Sequence, residues 1–431
     1  MTRPTLVRSL AVAGASALLL AACGNSGGGS TTTSAAPSES ASESSTVPAG
    51  DGTLTIGTVL PQTGSLAFLG PPEFAGVDLA LKEINDAGGV LGKPVVKIEG
   101  DSGDTSTNIA SATVDAGLAK GVDAFIGAAS SSVSLTIIDK ITSAGVVQMS
   151  PANTSIALTS YADKGLYWRT APPDTFQGAI LGQLVAGDDH KTAAVLALQD
   201  AYGEGLAKTF TEAFESTGGT IAFSKIYDPK AADYAAEVTA VKASKPEALV
   251  IIGFDETKKI LQELIKQGIG PDKLPLYLCD GNMGNALAEG LPAGTLNGAK
   301  GTIPGSKASD EFQAALKAIN PELIDFSYAP ESYDATNLIA LAAQAAGSDN
   351  GVAIASQLQA VSAGGEKCTN FADCKKLLDE GKDIDYEGQS GPTDFDANGD
   401  PTKATMGIYQ FGADDKIAAL DFIPGDVPPS S

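Results

Sequence analysis

The sequence predicts an α/β protein of two parallel-sheet lobes, and three observations lead there. Short β-rich runs alternate with helical stretches from Leu54 onward, and "YWRTAPPD" at 167–174 punctuates the alternation. The segment 51–431 is also too long for one small core.

In the first series "LTIGTVL" reads as a strand, and 73–86, "EFAGVDLALKEIND", sets Phe74, Val77, Leu81 and Ile84 on one helical face. "GGVLG" stops that helix and "PVVKIE" is the next strand. A helix at 106–119, strand "DAFIG", a helix at 132–143 and strand "GVVQMS" follow, the pattern of a parallel sheet covered by helices. The second series runs helix 175–186, "TAAVLAL", helix 203–216, strand 220–226, helix 231–243, "PEALVIIG", helix 256–267 and "LPLYL". Helices at 307–319, 331–346, 351–361 and 371–379 lack matching strands and are expected to return to the first lobe. The connection between lobes is then more than one strand wide. The expected organisation is lobe 1 at 51–170, lobe 2 at 171–300, a lobe 1 return at 301–389 and a lobe 2 return and tail at 390–431.

Ahead of the lobes, Arg3 and Arg8 precede an apolar run from Leu10 to Leu20, the layout of an export signal over 1–22. Leu20-Ala21-Ala22-Cys23 resembles the lipobox of bacterial lipoproteins, which implies cleavage before Cys23 and a diacylglycerol on its sulfur. Two acyl chains suffice for stable attachment where one does not. Residues 24–50 are nearly all Gly, Ser, Thr, Ala, Pro and Glu and cannot bury enough surface to fold. With Cys23 they read as a tether of roughly 30 Å root-mean-square reach.

Acidic residues outnumber basic ones 52 to 28, a surface that repels nucleic-acid phosphates, so no nucleic-acid partner is expected. Arg169 is the only arginine left once the signal is removed. Beside the punctuation between lobes, it is expected to fix the crossing by pairing with an acidic residue, and its neighbour Trp168 to pack in the core or hinge. Cys368 and Cys374 in "CTNFADC" can close a short disulfide loop in an oxidising compartment, while Cys279 has no obvious mate. His190 is the sole histidine and follows "GDD" in a polar turn, so no zinc site is expected. "DFDANGD" begins like a calcium loop, but its twelfth position is Thr405 where a bidentate glutamate is required, and it reads as a turn between two strands.

Three first-lobe loops follow strands: "PQTGSLAFLG" at 61–70, "GAASSSVS" at 127–134 and "SPANTS" at 150–155. Serines at helix starts offer hydroxyls and unsatisfied N–H groups that suit a carboxylate, and they serve equally as plain helix caps. The chain has no Gly-x-Ser-x-Gly elbow, phosphate loop or dinucleotide fingerprint, and no histidine placed for a relay. Neither an enzyme nor a cofactor is expected.

"PQTGSLAFLG", "INDAGGVLGKPV", "FIGAASSSVSLT", "VVQMSPANTS", "YWRTAPPD", "DAYGEG" and "YAPESYDA" together resemble the type I periplasmic binding proteins of the branched-chain amino acid transport class, from residue 53 to the end. The resemblance implies two Rossmann-like lobes joined by a multi-strand hinge, with a ligand cleft between them. It implies a monomeric receptor that hands a small molecule, most readily an amino acid, to the transmembrane subunits of an ABC permease. Cys23 would hold it at the outer face of the cell membrane through its lipid.

By the same resemblance Ser131, Ala152 and Thr154 hold the ligand's α-carboxylate, Tyr202 meets it from the second lobe, and Phe254 packs on its ammonium or side chain. Two departures bear on specificity. The family glutamate for the α-ammonium aligns with Gly281, so the carboxylate falls to the adjacent Asp280, and a family tyrosine is replaced by Leu69. If Asp280 points elsewhere, a short amide, urea or another neutral solute is the expected ligand, and a tethered sensor of the same fold is the rival to transport.

Overall fold

The computed structural model describes residues 50–429. The export signal, Cys23 and all of the tether but residue 50 lie outside them. The first lobe starts with β1 (Thr55–Val59), α1 (Gly70–Asp86), β2 (Val96–Ile98), α2 (Ile109–Leu118), β3 (Ala124–Gly127), α3 (Ser131–Ser143), β4 (Val147–Ser150) and β5 (Tyr167–Arg169). Its five strands are all parallel, in the order β2-β1-β3-β4-β5. Ile56, Ala124, Ile126, Val147 and Met149 are wholly buried on this sheet, under Val77, Ala80 and Ile84 of α1.

The second lobe takes α4 (Asp174–Gly187), β6 (Thr192–Leu198), α5 (Ala201–Ser216), β7 (Thr220–Tyr227), α6 (Ala235–Ser244), β8 (Ala248–Ile252), α7 (Thr257–Lys266), β9 (Leu276–Leu278) and β10 (Lys300–Pro304). The return to the first lobe is α8 (Asp310–Ile319), α9 (Ala329–Ala346), α10 (Gly351–Val361), β11 (Glu366–Cys368), α11 (Phe371–Asp379) and β12 (Ile384–Tyr386). Finally β13 (Lys403–Phe411) and β14 (Ile417–Asp426) rejoin the second sheet, whose order is β14-β13-β10-β9-β8-β6-β7.

Three expectations are corrected here. Residues 301–304 do not begin the return segment, because β10 continues in the second sheet to Pro304, parallel to β9 and antiparallel to β13. The returning helices are not strandless, since β11 and β12 form a small parallel pair. "DFDANGD" closes only one isolated antiparallel bridge, Phe395 with Pro401, and the long hairpin lies after it in β13 and β14. Cys368 and Cys374 are joined, linking the end of β11 to α11, and Cys279 is free and buried.

The chain crosses between lobes three times, at 170–173, 305–309 and 387–402. Arg169 at the first crossing is completely buried and grips Asp400 at the third, with Nε to Oδ1 at 2.6 Å and Nη2 to Oδ2 at 2.9 Å. The second and third crossings meet where Ser306 N donates to Ser390 O. Asp334 of α9 accepts from Tyr386 Oη and from Gln389 N, Ser390 N and Ser390 Oγ, fastening the helix to the third crossing. Trp168 packs edge-on against Phe395 with centroids 5.2 Å apart, a core contact at the hinge.

Several carboxyls are buried or half-buried and form no ion pair among the described residues. Burial pushes Glu331 up to about 8 and Asp123 up to about 7, and raises Glu73 well above the ordinary range, with Glu331 adding to it. Raised acids bind protons more tightly in the folded than in the unfolded chain. Their stabilisation is therefore complete below the unfolded pKa and is lost as pH rises through the folded one. Each can remove up to about 1.4 kcal/mol per pH unit within its window. Asp101 and Asp188 are shifted down and act only at lower pH. The melting temperature is thus expected to fall from pH 5 to pH 9, and Glu331→Gln to flatten the slope near pH 8. A melting temperature that holds or rises over that range contradicts this.

Candidate functional site

Open parallel sheets bind ligands at the carboxyl ends of their strands where the strand order reverses. In the first sheet that point lies between β1 and β3, in the second between β6 and β8. One cavity is walled by residues following both pairs: Leu66 and Leu69 after β1, Ala129, Ser130 and Ser131 after β3, Tyr202 after β6 and Phe254 after β8. Ala152 and Thr154 after β4, Asp280 and Gly281 after β9, and Tyr328 before α9 complete it. The structure thus brings together all six residues expected at the ligand: Ser131, Ala152, Thr154, Tyr202, Phe254 and Asp280.

In the first-lobe wall Asn153 ties the two loops together. Its Nδ2 donates to Ala128 O and Ala129 O at 2.9 and 2.8 Å, and its Oδ1 accepts from Tyr167 Oη at 2.9 Å. The α3 N-cap is Ser130, whose Oγ accepts from Val133 N at 3.3 Å, so capping does not occupy Ser131. Ser131 Oγ instead accepts from Ser155 N at 3.2 Å, and as the first helical residue its own N–H has no intrahelical acceptor. Thr154 Oγ1 is buried with no hydrogen-bond partner.

Asp280 dominates the second-lobe wall. Oδ1 accepts from Tyr202 Oη and Gln177 Nε2, each at 2.8 Å, and Oδ2 accepts from Tyr328 Oη at 2.7 Å. Burial raises its pKa, and the three hydrogen bonds work against that. Gly281 cannot carry the family's glutamate: a Cβ there would lie 2.7 Å from Gly253 O and 2.9 Å from Phe254 Cδ1. Asp280 is accordingly the carboxylate at this wall. Phe254 lies flat on Tyr202, with rings 5.6 Å apart and 8° from parallel.

Gln177 and Tyr328 were not singled out from the sequence, nor was Asp174 behind Thr154. Asp174 N donates to Thr154 O at 2.7 Å, and both of its carboxyl oxygens are buried without a hydrogen bond. Burial holds its pKa well above the ordinary range and Asp280 adds to this, while the nearby Thr154 hydroxyl and Arg169 charge favour the ionised form. The hydroxyl approaches without normal hydrogen-bond geometry.

The lobes are closed on each other. Ser155 Oγ donates to Ala201 O at 2.8 Å, and Ala201 N donates to Ser132 Oγ at 3.0 Å. The central cavity is correspondingly narrow, about 10 Å³, the space of one water. Beyond Leu66, Ser130 and Phe254 the cleft widens into a chamber of about 580 Å³, bordered by Asp104 and Thr105 on one lobe and Lys230, Lys258 and Lys259 on the other. Among the described residues no group of His, Cys, Asp and Glu is arranged to hold a metal ion. In "DFDANGD", Asp396 Oδ1 accepts from Asn398 N and Asp400 N, and Asp400 serves Arg169.

The sequence of these two lobes, the first with a wholly parallel sheet and the second with a sheet that turns antiparallel at β13 and β14, is matched by a family model. The model for periplasmic binding protein matches residues 53–416. The chain belongs to that family. It is a solute-binding protein and not an enzyme.

The chain is 27% identical over 380 residues to Leu/Ile/Val-binding protein homolog 3 of Brucella melitensis, covering 85% of this chain and 94% of that one. It is 25% identical over 360 residues to BasB of Halobacterium salinarum, a chemotactic signal transduction system substrate-binding protein, covering 81% and 84%. Its fold matches the branched-chain amino acid transporter substrate binding protein LivJ from Streptococcus pneumoniae, solved with isoleucine. That match has TM-score 0.72 and 25% identity and covers 86% of this chain and all of that one.

Proposed function

We propose that this chain captures a free α-amino acid of the branched-chain type in the central cleft and delivers it to an ABC permease. The observation that carries this reading is the pairing of walls in one cavity. Ser131 and the unpartnered Thr154 hydroxyl offer a carboxylate its donors, Asp280 faces them across the cavity, and Leu66, Leu69 and Ala129 supply an apolar side. Asp174 and Asp280 are both buried, and an ammonium is the ligand group that compensates buried carboxylates. A carboxylate has about four acceptor positions, and Asp280 uses three within the protein. The cavity in this closed form has room for one water, so the lobes must part to admit an amino acid from the outer chamber and then close over it, which requires tighter binding to the closed form. The likeness to a Leu/Ile/Val-binding protein homolog supports the same class.

Calorimetric titration of the chain from residue 51 onward, freed of carried-over ligand by partial unfolding, tests this. Leucine, isoleucine or valine is expected to bind saturably, in the micromolar range at about 8 kcal/mol. Silence toward amino acids with binding of urea or a short amide would move the chain to the neutral-solute reading. The likeness to BasB favours a second reading, a tethered sensor. An uptake defect on deletion supports transport, and intact uptake with lost chemotaxis supports sensing.

Attachment through a lipid on Cys23 is part of the proposal, supported by the Leu20-Ala21-Ala22-Cys23 run. Cys23→Ser is expected to release the protein from the membrane. Continued lipid labelling of that variant would remove the assignment.

A further inference from the structure

A second cavity, of about 260 Å³, lies between the lobes and shares only Tyr328 with the central pocket. The first lobe supplies Phe326 and Tyr328 just before α9 and Glu331 in its first turn, and the second supplies Tyr409 of β13 and Phe422 of β14. We propose that this cavity binds a small organic ammonium ion, held by the Glu331 carboxylate and the four aromatic rings.

Glu331 is 1% exposed, its Oε1 has no hydrogen-bond partner, and it forms no ion pair among the described residues. Burial keeps Glu331 protonated at neutral pH, with the equally buried acid Glu73 near it, and a cation at its side is what would let it ionise. Thr170 Oγ1 donates to the main-chain carbonyl of Glu331, so the backbone is fixed while the carboxylate is left for another partner. Gly305 packs over Oε1, where a Cβ would sit 2.3 Å from it, so a ligand can reach the carboxyl group only from the cavity side.

The rings define what kind of cation fits. Tyr409 and Phe422 meet edge to face with centroids 6.0 Å apart. The Lys317 ammonium already lies 5.5 Å from the Phe326 centroid, so this lining holds one alkylammonium within the protein itself. Aromatic faces attract alkylammonium groups, whereas a hard metal ion needs six or more oxygens. The other acid at the rim, Asp325, is taken up by the Asn285 backbone and side chain, and the one basic rim residue, Lys307, is exposed to solvent. A neutral solute would leave Glu331 protonated, and an anion would oppose its ionisation.

The test is a titration of the full chain with n-butylammonium chloride, followed by saturation-transfer NMR and calorimetry, with 1-butanol and sodium butyrate as matched controls. The ammonium is expected to bind saturably in the millimolar range, and the alcohol and carboxylate far more weakly. Glu331→Gln and Phe422→Ala are each expected to weaken it about tenfold. Tyr328 is left intact because it also walls the central pocket. Phe422 lies half-buried on the outer hairpin, so its variant keeps the test open if Glu331→Gln misfolds, and melting curves identify folded samples. Equal binding of 1-butanol, ammonium binding indifferent to both folded variants, or no saturable binding would each overturn the proposal.

Discussion

Arg169→Leu is expected to destabilise the protein by about 3–5 kcal/mol, the cost of breaking a buried ion pair by removing one partner. The guanidinium is wholly buried and every face of it is used. Besides its fork on Asp400, Nη1 donates to Ser155 O at 2.8 Å and Asn153 O at 3.4 Å, and Nη2 to Thr159 Oγ1 at 2.8 Å. Leucine would strand the Asp400 carboxylate, which is itself 4% exposed, together with two loop carbonyls.

Lysine cannot reproduce the planar fork, so Arg169→Lys is expected to fall between wild type and leucine. Removing both charges in Arg169→Leu/Asp400→Leu should cost less than Arg169→Leu alone, because no unpaired charge then stays buried. Urea unfolding of the four proteins at pH 7 measures this. A loss below about 1 kcal/mol for Arg169→Leu would mean that the pair behaves like a surface bridge and does not hold the hinge.

How much of this was legible follows from the range of the interactions. Helix and strand periodicity is local, so β1 to β4, β6 to β9 and their helices could be read directly, whereas the three-residue β5 was read as punctuation inside "YWRTAPPD". That Arg169 would pair with an acid was legible from its uniqueness and its place. The partner, Asp400, lies 231 positions away, and nothing local marks it among 52 acidic residues.

The serines of "GAASSS" were legible as a helix start but not in register. Adjacent identical residues leave the cap ambiguous by one position, and the structure puts it on Ser130. The β13–β14 hairpin was missed because β14 carries Pro424 and Gly425, residues that argue against a strand unless it is an edge, which β14 is. Tyr328 and Gln177 reach Asp280 only through the lobe packing and carry no motif chemistry of their own. Ser131, Ala152, Thr154 and Tyr202 came from ordered family fragments and Phe254 and Asp280 from family positions carried over between them, while the composition gave only their chemical types.

Asp280→Asn is expected to cost an amino-acid ligand about a hundredfold in affinity, two factors of ten at about 1.4 kcal/mol each. The ligand's ammonium would lose the charge opposite it. The three internal donors, Tyr202, Gln177 and Tyr328, would lose a charged acceptor, worth about 1.5–3 kcal/mol per bond against about 0.5–1.5 for a neutral one. An asparagine also presents an NH2 where one carboxylate oxygen stood, so one of those donors must turn away.

The second effect alone could loosen Tyr202 and the Phe254 ring stacked on it, so lost affinity by itself does not show that Asp280 reads an ammonium. Isocaproate, which is leucine without its amino group, separates the two. If Asp280 reads the ammonium, the substitution weakens leucine far more than isocaproate and narrows the difference between them. If it serves only to hold Tyr202, Gln177 and Tyr328 in place, both ligands lose equally. The buried Asp174 beside Thr154 would then be the carboxylate left to meet the ligand's amino group, and Asp174→Asn the variant that removes the discrimination.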